Sequence, residues 1–168
     1  MTERIEDLVA RLGEQIGSSG ITLAAAESCT GGMLCGAITA NPVVSGSLER
    51  GMVVYSPNAK ADLLGLDLER VESCDGVDKE LTIDMAKEAL GRSRASIAIA
   101  IAGFAGPREK GEEVGLVHFA IATSRGEIIH REHHFGDPGR QTVCRRAVET
   151  ALSLLIDVVR TQRAAGSD

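Results

Sequence analysis

An apolar run near the middle of the chain, Ala95 to Ala102, restricts the possible folds more than any other segment. The run is short and rich in β-branched residues, and the turn-forming sequence Gly103 to Pro107 ends it, so a strand is favoured over a helix. A strand that is apolar on both faces must be covered on both faces. The run therefore predicts a central strand with helices on either side of its sheet.

Helical and strand patterns alternate around this central strand. The predicted helices run from Ile5 to Ile16, from after Gly32 to before Pro42, from Pro57 to Leu64, from a cap at Asp78 to Gly91, and onward from near Gln141. The predicted strands are Ile21 to Ala26, Met52 to Tyr55, Leu116 to Thr123 and Ile128 to Phe135, with a loop over Asn41 to Arg50. This alternation predicts an α/β fold, a three-layer α/β/α arrangement with a mixed sheet, in one domain of residues 1–168.

The composition disfavours several classes of function. Aromatic residues make up 2% of the chain and there is no Trp, so a base-stacking surface is disfavoured. The net charge of −6 repels nucleic acids, although a small anion can still bind locally. The charged N-terminus and the lack of a long apolar run argue against a signal peptide and a membrane span. We therefore expect a cytoplasmic protein with no nucleic-acid or membrane partner.

Polar loops beside the predicted strands are the candidate sites, because such loops gather at one edge of an α/β sheet. The first offers the hydroxyls of Ser28 and Thr30, the small residues Gly31 and Gly32, and the free amides of a helix start. This combination suits a phosphate or carboxylate. The alternative is a capped helix whose glycines allow tight packing.

A second candidate combines Ser45, Tyr55 and Lys60. A serine hydroxyl needs a base to become a nucleophile, and a lysine whose pKa is lowered by burial can supply it. Tyr55 could pass protons between Ser45 and a leaving group. The alternative is that the serine and the lysine face solvent.

Two further loops could hold a substrate. The turn of Gly103, Ala105 and Gly106 could offer backbone amides to an oxyanion, or could be a simple turn. Arg140, at the start of the last helix, could bind a phosphate or could be an ordinary surface arginine.

Cysteine and histidine residues suggest two other chemistries. Cys29 could be a reactive thiolate near a helix start, but four reduced structural thiols are favoured. His130 and His134 share a strand face with Glu132, which raises the possibility of a metal site. The spacing of these residues does not complete the ligand set of a tetrahedral zinc site, so we favour exposed histidines and predict no metal site.

Four ordered motifs resemble those of a known family. Ala26 to Gly32 reads AESCTGG, Glu49 to Lys60 is similar to ERGFVTYSNEAK, Gly103 to Pro107 is similar to GxAGP, and Phe135 to Arg140 is similar to a late FxGDR segment. On these residues the chain resembles the CinA C-terminal domain family.

The resemblance implies an α/β nicotinamide-nucleotide amidohydrolase that converts nicotinamide mononucleotide to nicotinate mononucleotide and ammonia. It implies Ser45 as nucleophile, Lys60 as base, Tyr55 assisting, and Arg140 near the phosphate. It also implies a small-molecule nucleotide substrate, no metal and no cofactor. We expect a stand-alone homo-oligomeric form without the N-terminal pyrophosphatase-type domain of longer members.

The chain departs from the family pattern at four places: Val43 with Val44, Pro57, Ala102, and the charged segment Arg108 to Glu113. These changes alter proton donors and backbone access near the substrate. They leave open two alternatives, a catalytically weak nucleotide-binding relative and a competence or DNA-damage protein.

Overall fold

The computed structural model describes residues 4–109 and 111–166. Its strands are β1 (Leu23–Glu27), β2 (Leu48–Val53), β3 (Ile97–Gly103), β4 (Leu116–Thr123) and β5 (Ile128–His134). Its helices are α1 (Ile5–Ile16), α2 (Met33–Ala40), α3 (Pro57–Leu64), α4 (Leu68–Ser73), α5 (Lys79–Gly91) and α6 (Arg140–Ala165). The predicted domain of residues 1–168 includes 1–3, 110 and 167–168, which lie outside the described residues.

The strands form one mixed sheet in the order β2-β1-β3-β4-β5. β1 pairs in parallel with both β2 and β3, while β4 is antiparallel to β3 and to β5. In the sheet, β2 lies on one side of β1 and β3 lies on the other side, so the direction in which strands are added reverses at β1. Such a reversal opens a crevice above the carboxyl ends of the strands, which is where α/β proteins bind ligands.

Two unequal cores lie on the two faces of the sheet, and β3 shows why. Its isoleucines, such as Ile99, point into a core formed with α1, α2 and α6. Its alanines, such as Ala100, point into a second core that contains Leu64 of α3, Val71 of α4 and Met85 of α5. Every second residue of a strand faces the same side, so this alternation builds one thick core and one thin core. The predicted three-layer α/β/α fold is confirmed.

Local capping explains where two predicted helices begin. The Ser56 hydroxyl accepts a hydrogen bond from the Ala59 N–H at 3.1 Å and starts α3. The Asp78 carboxylate accepts from the Leu81 N–H at 2.7 Å and starts α5. A side-chain acceptor satisfies a backbone donor that has no partner within the helix. Both helices have the predicted bounds.

β1 and β3 are displaced from their predicted bounds by one or two residues, and two larger differences concern β2 and α4. β2 begins at Leu48, inside the predicted loop. Its two charged residues are held by backbone groups of the segment that leads into β3, since Glu49 accepts from the Arg94 N–H at 3.2 Å and Arg50 donates to the Arg92 carbonyl. The short helix α4 was not predicted, because Val71 is its one buried residue and gives no apolar period. Within the described ranges, no helix is long and apolar enough to cross a membrane.

Candidate active site

A cavity of about 210 Å³ opens above the carboxyl ends of β1 and β3. The loop after β1, the segment after β2, the first turn of α3, the loop after β3 and the start of α6 all contribute to it. Its polar lining includes Ser28, Tyr55, Lys60, Glu109, Glu112 and Arg140. The crevice that the sheet topology predicts is therefore present at the carboxyl edge.

Ser28 and Lys60 form the polar centre of this cavity. The Lys60 Nζ donates hydrogen bonds to the Ser28 Oγ at 2.9 Å and to the Val54 carbonyl at 3.0 Å. Lys60 is 2% exposed and Ser28 is 6% exposed. The Ser28 N–H donates to the Ile101 carbonyl at 3.0 Å, which ties the serine to β3.

Burial also sets the charge behaviour of this lysine. Removal of the amine from water lowers the pKa of Lys60, while the thiols of Cys29 and Cys74 act in the opposite direction. A lowered pKa makes the neutral amine accessible nearer to neutral pH. Ser28 and Lys60 thus provide a hydroxyl and a base within hydrogen-bonding distance, the arrangement that nucleophilic catalysis requires.

Glu27, the last residue of β1, holds the loop that carries Ser28. Its carboxylate is fully buried and accepts four hydrogen bonds. The donors are the Thr30 hydroxyl at 2.6 Å and the N–H groups of Gly32 at 3.2 Å, Leu34 at 3.0 Å and Cys35 at 2.9 Å. The start of α2 therefore already binds an anion, the carboxylate of the preceding strand.

This arrangement corrects the prediction for the loop of Ser28 to Gly32. Thr30 and Gly32 were expected to bind substrate, but their donors are bonded to Glu27, and neither they nor Gly31 line the cavity. The role of Glu27 was missed. A carboxylate just before a glycine-rich helix start was the signal available in the sequence.

Arg140 and Tyr55 form one wall of the cavity. The Arg140 guanidinium donates to the Gly106 carbonyl and to the Tyr55 hydroxyl. Its Cζ atom lies 6.0 Å from the centre of the Tyr55 ring. Among the described residues, the Tyr55 hydroxyl has no hydrogen bond to Ser28 or Lys60, so its partner is the arginine rather than the base.

The loop after β3 adjoins this wall and lines the cavity through Gly103, Ala105 and Gly106. In the described part of the chain, the N–H groups of Ala105 and Gly106 donate to no protein acceptor. A Cβ at Gly103 would lie 2.6 Å from the Leu116 carbonyl oxygen, so the glycine is needed for this close approach to β4. Of the two predicted segments, Gly103 to Gly106 line the cavity throughout, whereas Ser28 to Gly32 contribute Ser28 and Cys29.

Comparison with known proteins decides the family. A model of the CinA C-terminal domain matches residues 5–159. The chain belongs to the CinA C-terminal domain family. It is 42% identical over 152 residues to nicotinamide-nucleotide amidohydrolase PncC of Escherichia coli strain K12, which covers 86% of this chain and 91% of that protein.

Solved structures of CinA relatives share the fold. The competence/damage inducible protein CihA of Agrobacterium tumefaciens is 38% identical, with a TM-score of 0.87 over 94% of this chain and 98% of that one. A CinA superfamily protein of Klebsiella pneumoniae is 31% identical, with a TM-score of 0.86 over the same shares. The predicted family is thereby confirmed.

Ser45 does not join the other predicted catalytic residues of this CinA domain. It lies in a 3-10 turn just before β2, where its Oγ hydrogen bonds to the Pro42 carbonyl at 3.4 Å, and it does not line the cavity. Tyr55 follows the other end of β2, roughly 20 Å away at the usual rise per strand residue. A loop that enters a parallel strand lies at the opposite sheet edge from a loop that leaves it. The expected convergence of Ser45, Tyr55 and Lys60 is therefore wrong within one chain.

The thiol and histidine alternatives gain no support from the CinA structure. Burial, followed by the nearby Cys144, raises the pKa of Cys29 to about 12, which keeps the thiol protonated. The His118 and His130 rings are hydrogen bonded to each other at 3.0 Å, and His134 bonds to Glu132 at 2.9 Å. In residues 4–109 and 111–166, no cluster of three such side chains is arranged to hold a metal ion.

Of the four departures from the CinA pattern, two contribute to the cavity that holds Ser28 and two lie outside its lining. Val43 is 81% exposed near the other edge of the sheet, and Ala102 is buried in the thin core. Pro57 lines the cavity as the first residue of α3, a position where proline fits a helix. Within Arg108 to Glu113, Glu109 and Glu112 line the cavity, and Lys110 lies outside the described residues.

Proposed function

We propose that this chain hydrolyses the carboxamide of nicotinamide mononucleotide to give nicotinate mononucleotide and ammonia. Two findings support this activity: membership of the CinA C-terminal domain family and 42% identity to an E. coli nicotinamide-nucleotide amidohydrolase. The observation that carries the chemistry is the 2.9 Å hydrogen bond between Ser28 and Lys60 inside the cavity. The proposal makes the chain a serine amidohydrolase of cytoplasmic pyridine-nucleotide salvage and NAD metabolism.

In the proposed mechanism, Ser28 replaces Ser45 as the nucleophile. The neutral Lys60 amine takes the Ser28 proton as the Oγ attacks the carboxamide carbon. The tetrahedral adduct collapses, the C–N bond breaks, and the leaving nitrogen takes a proton from Lys60 and departs as ammonia. Water, deprotonated by Lys60, then hydrolyses the ester, releasing the carboxylate and restoring the serine hydroxyl. These steps require the chain's own groups and one water molecule.

Backbone and side-chain groups of the cavity walls supply the remaining contacts. The N–H groups of Ala105 and Gly106 are available to stabilise the oxyanion of the tetrahedral adduct. The Arg140 guanidinium provides the positive charge for the substrate phosphate, and Tyr55 holds that guanidinium. The expected homo-oligomer is likewise a proposal.

Ammonia release from nicotinamide mononucleotide tests the proposal, with Ser28→Ala and Ser45→Ala as a matched pair. We expect Ser28→Ala and Lys60→Arg each to lower kcat by about 10³-fold or more, because the first removes the nucleophile and the second removes the base. Ser45→Ala should keep the wild-type rate. Loss of activity in Ser45→Ala alone would restore Ser45 as the nucleophile. Nucleotide binding without ammonia release by the wild type would instead indicate the catalytically weak relative.

A further inference from the structure

Three carboxylates line the cavity that also holds Lys60 and Arg140. Glu109 and Glu112 belong to the charged segment after β3 that departs from the CinA pattern, and Asp75 lies in the turn between α4 and α5. We call these three residues the acidic lining. Carboxylates near Arg140 oppose the binding of a phosphate, because like charges repel. Phosphate binding therefore does not explain the acidic lining.

No side chain of the acidic lining has a hydrogen bond or an ion pair within residues 4–109 and 111–166. The Glu112 N–H donates to the Glu109 carbonyl at 3.2 Å, but this bond joins the two backbones and leaves both carboxylates without a donor. By contrast, the neighbouring Glu113 is outside the cavity lining and bonds to His134 at 2.6 Å. Glu112 is half-buried, and a carboxylate partly removed from water without a donor is unfavourable. A ligand that carries positive charge would relieve this cost.

The proposed substrate carries a positive charge of its own. Its pyridine nitrogen is bonded to ribose, which makes the ring a cation, while the phosphate at the other end of the nucleotide is an anion. Arg140 provides the charge for the phosphate in the proposed function, so the ring cation needs a separate partner. Aromatic faces can stabilise a cation, but the Tyr55 ring already has the Arg140 Cζ atom 6.0 Å from its centre. The acidic lining supplies negative charge for the ring.

We propose that Glu112, together with Glu109 and Asp75, makes the site specific for a carboxamide on a cationic, N-substituted pyridinium ring. This assignment rests on the proposed function and adds a specificity determinant to it. The site itself is defined by the Ser28 and Lys60 pair, so the presence of a ligand there does not depend on the carboxylates. The dihydropyridine form of the same nucleotide has the same ribose, phosphate and carboxamide but an uncharged ring, and it therefore binds more weakly.

Two nucleotides that differ in ring charge test this specificity: nicotinamide mononucleotide and its dihydropyridine form. Each is titrated by calorimetry into the Ser28→Ala chain, which lacks the proposed nucleophile, so that binding is measured apart from hydrolysis. The test variant adds Glu109→Gln and Glu112→Gln, which remove both charges and keep the side-chain volumes. Glu113→Gln is the matched control, because Glu113 is the next residue along but does not line the cavity. Circular dichroism checks that each variant is folded.

We expect the Ser28→Ala chain and the Glu113→Gln control to bind the cationic nucleotide about tenfold more tightly than the dihydropyridine form. The Glu109→Gln and Glu112→Gln variant should reduce this ratio to about twofold or less, by weakening the cationic nucleotide alone. An unchanged ratio overturns the assignment, as does the absence of binding of the cationic nucleotide. Equal weakening of both nucleotides also overturns it, because the carboxylates would then bind the ribose hydroxyls. The proposed function fails separately, if the wild type binds nicotinamide mononucleotide but releases no ammonia.

Discussion

Replacing Glu27 by glutamine tests whether this buried carboxylate organises the loop that carries Ser28. The change keeps the side-chain volume but turns one acceptor oxygen into an NH₂ group. One Glu27 oxygen accepts from Thr30, Gly32 and Leu34, and the other accepts from Cys35. All four partners are donors, so the new NH₂ group faces a donor in either orientation of the amide.

The cost follows from the better of the two orientations. If the amide oxygen keeps the three donors, the Cys35 N–H loses its acceptor, which costs about 1.5–3 kcal/mol for a bond to a charged group. The other three bonds become neutral and lose roughly half their strength. Relief from burying a charge offsets part of this loss. We expect a net destabilisation of about 3 kcal/mol, which lowers Tm by roughly 6–12 °C for a chain of this size.

Urea and thermal unfolding of Glu27→Gln, followed by circular dichroism, measure this loss. Glu149→Gln is the control, because Glu149 is also buried but its partner among the described residues is the half-exposed Arg145, at 2.8 Å. The control should lose about 1 kcal/mol or less. If Glu27→Gln were no less stable than Glu149→Gln, the carboxylate would not be the organiser of this loop.

Three further outcomes are expected. Gly115→Ala should unfold the chain or lower Tm sharply in a melting scan, because its Cβ would lie 2.1 Å from the Gly136 carbonyl oxygen at a backbone φ of +88°; a normal Tm contradicts this. Cys29→Ala should retain most ammonia release, since the buried thiol stays protonated; complete loss would return the thiol to the mechanism. The kcat/KM profile should rise with pH through the lowered pKa of Lys60, because the neutral amine is the base; a rate that falls over this range contradicts the role. The unfolded chain binds more protons at this residue than the folded chain does between that pKa and ~10.4, so Lys60 contributes a rise of stability with pH there, and urea titrations of Lys60→Met should lack this contribution.

The sequence predicted the fold where short-range patterns decide it. Ser56 and Asp78 mark the starts of α3 and α5 because capping is local, and the apolar run of β3 requires cover on both faces. β2 was harder to predict, because Glu49 and Arg50 are satisfied by backbone groups more than 40 residues away. No local pattern reports such a contact.

The site was predicted in part for the same reason. Lys60 and the loops after β1 and β3 could be placed together because the carboxyl ends of neighbouring parallel strands share an edge. Residue type and family resemblance predicted Ser45 beside Lys60, but Ser45 precedes β2 and Lys60 follows it, so the two residues lie at opposite ends of that strand. The pairing of Ser28 with Lys60 joins residues 32 positions apart through an inward-facing side chain, which composition and spacing do not determine.

The position of Tyr55 gives the molecule a built-in optical probe. The chain has one tyrosine and no tryptophan, so ultraviolet-excited intrinsic emission comes from this ring alone. Because Tyr55 lies in the cavity wall with its hydroxyl bonded to Arg140, that emission reports on the ligand site and is largely insensitive to the packing of either core. A nucleotide that enters the cavity should quench or shift it without any added label. The same fact makes tyrosine emission a poor monitor of global unfolding, for which the backbone signal of the helices is better suited.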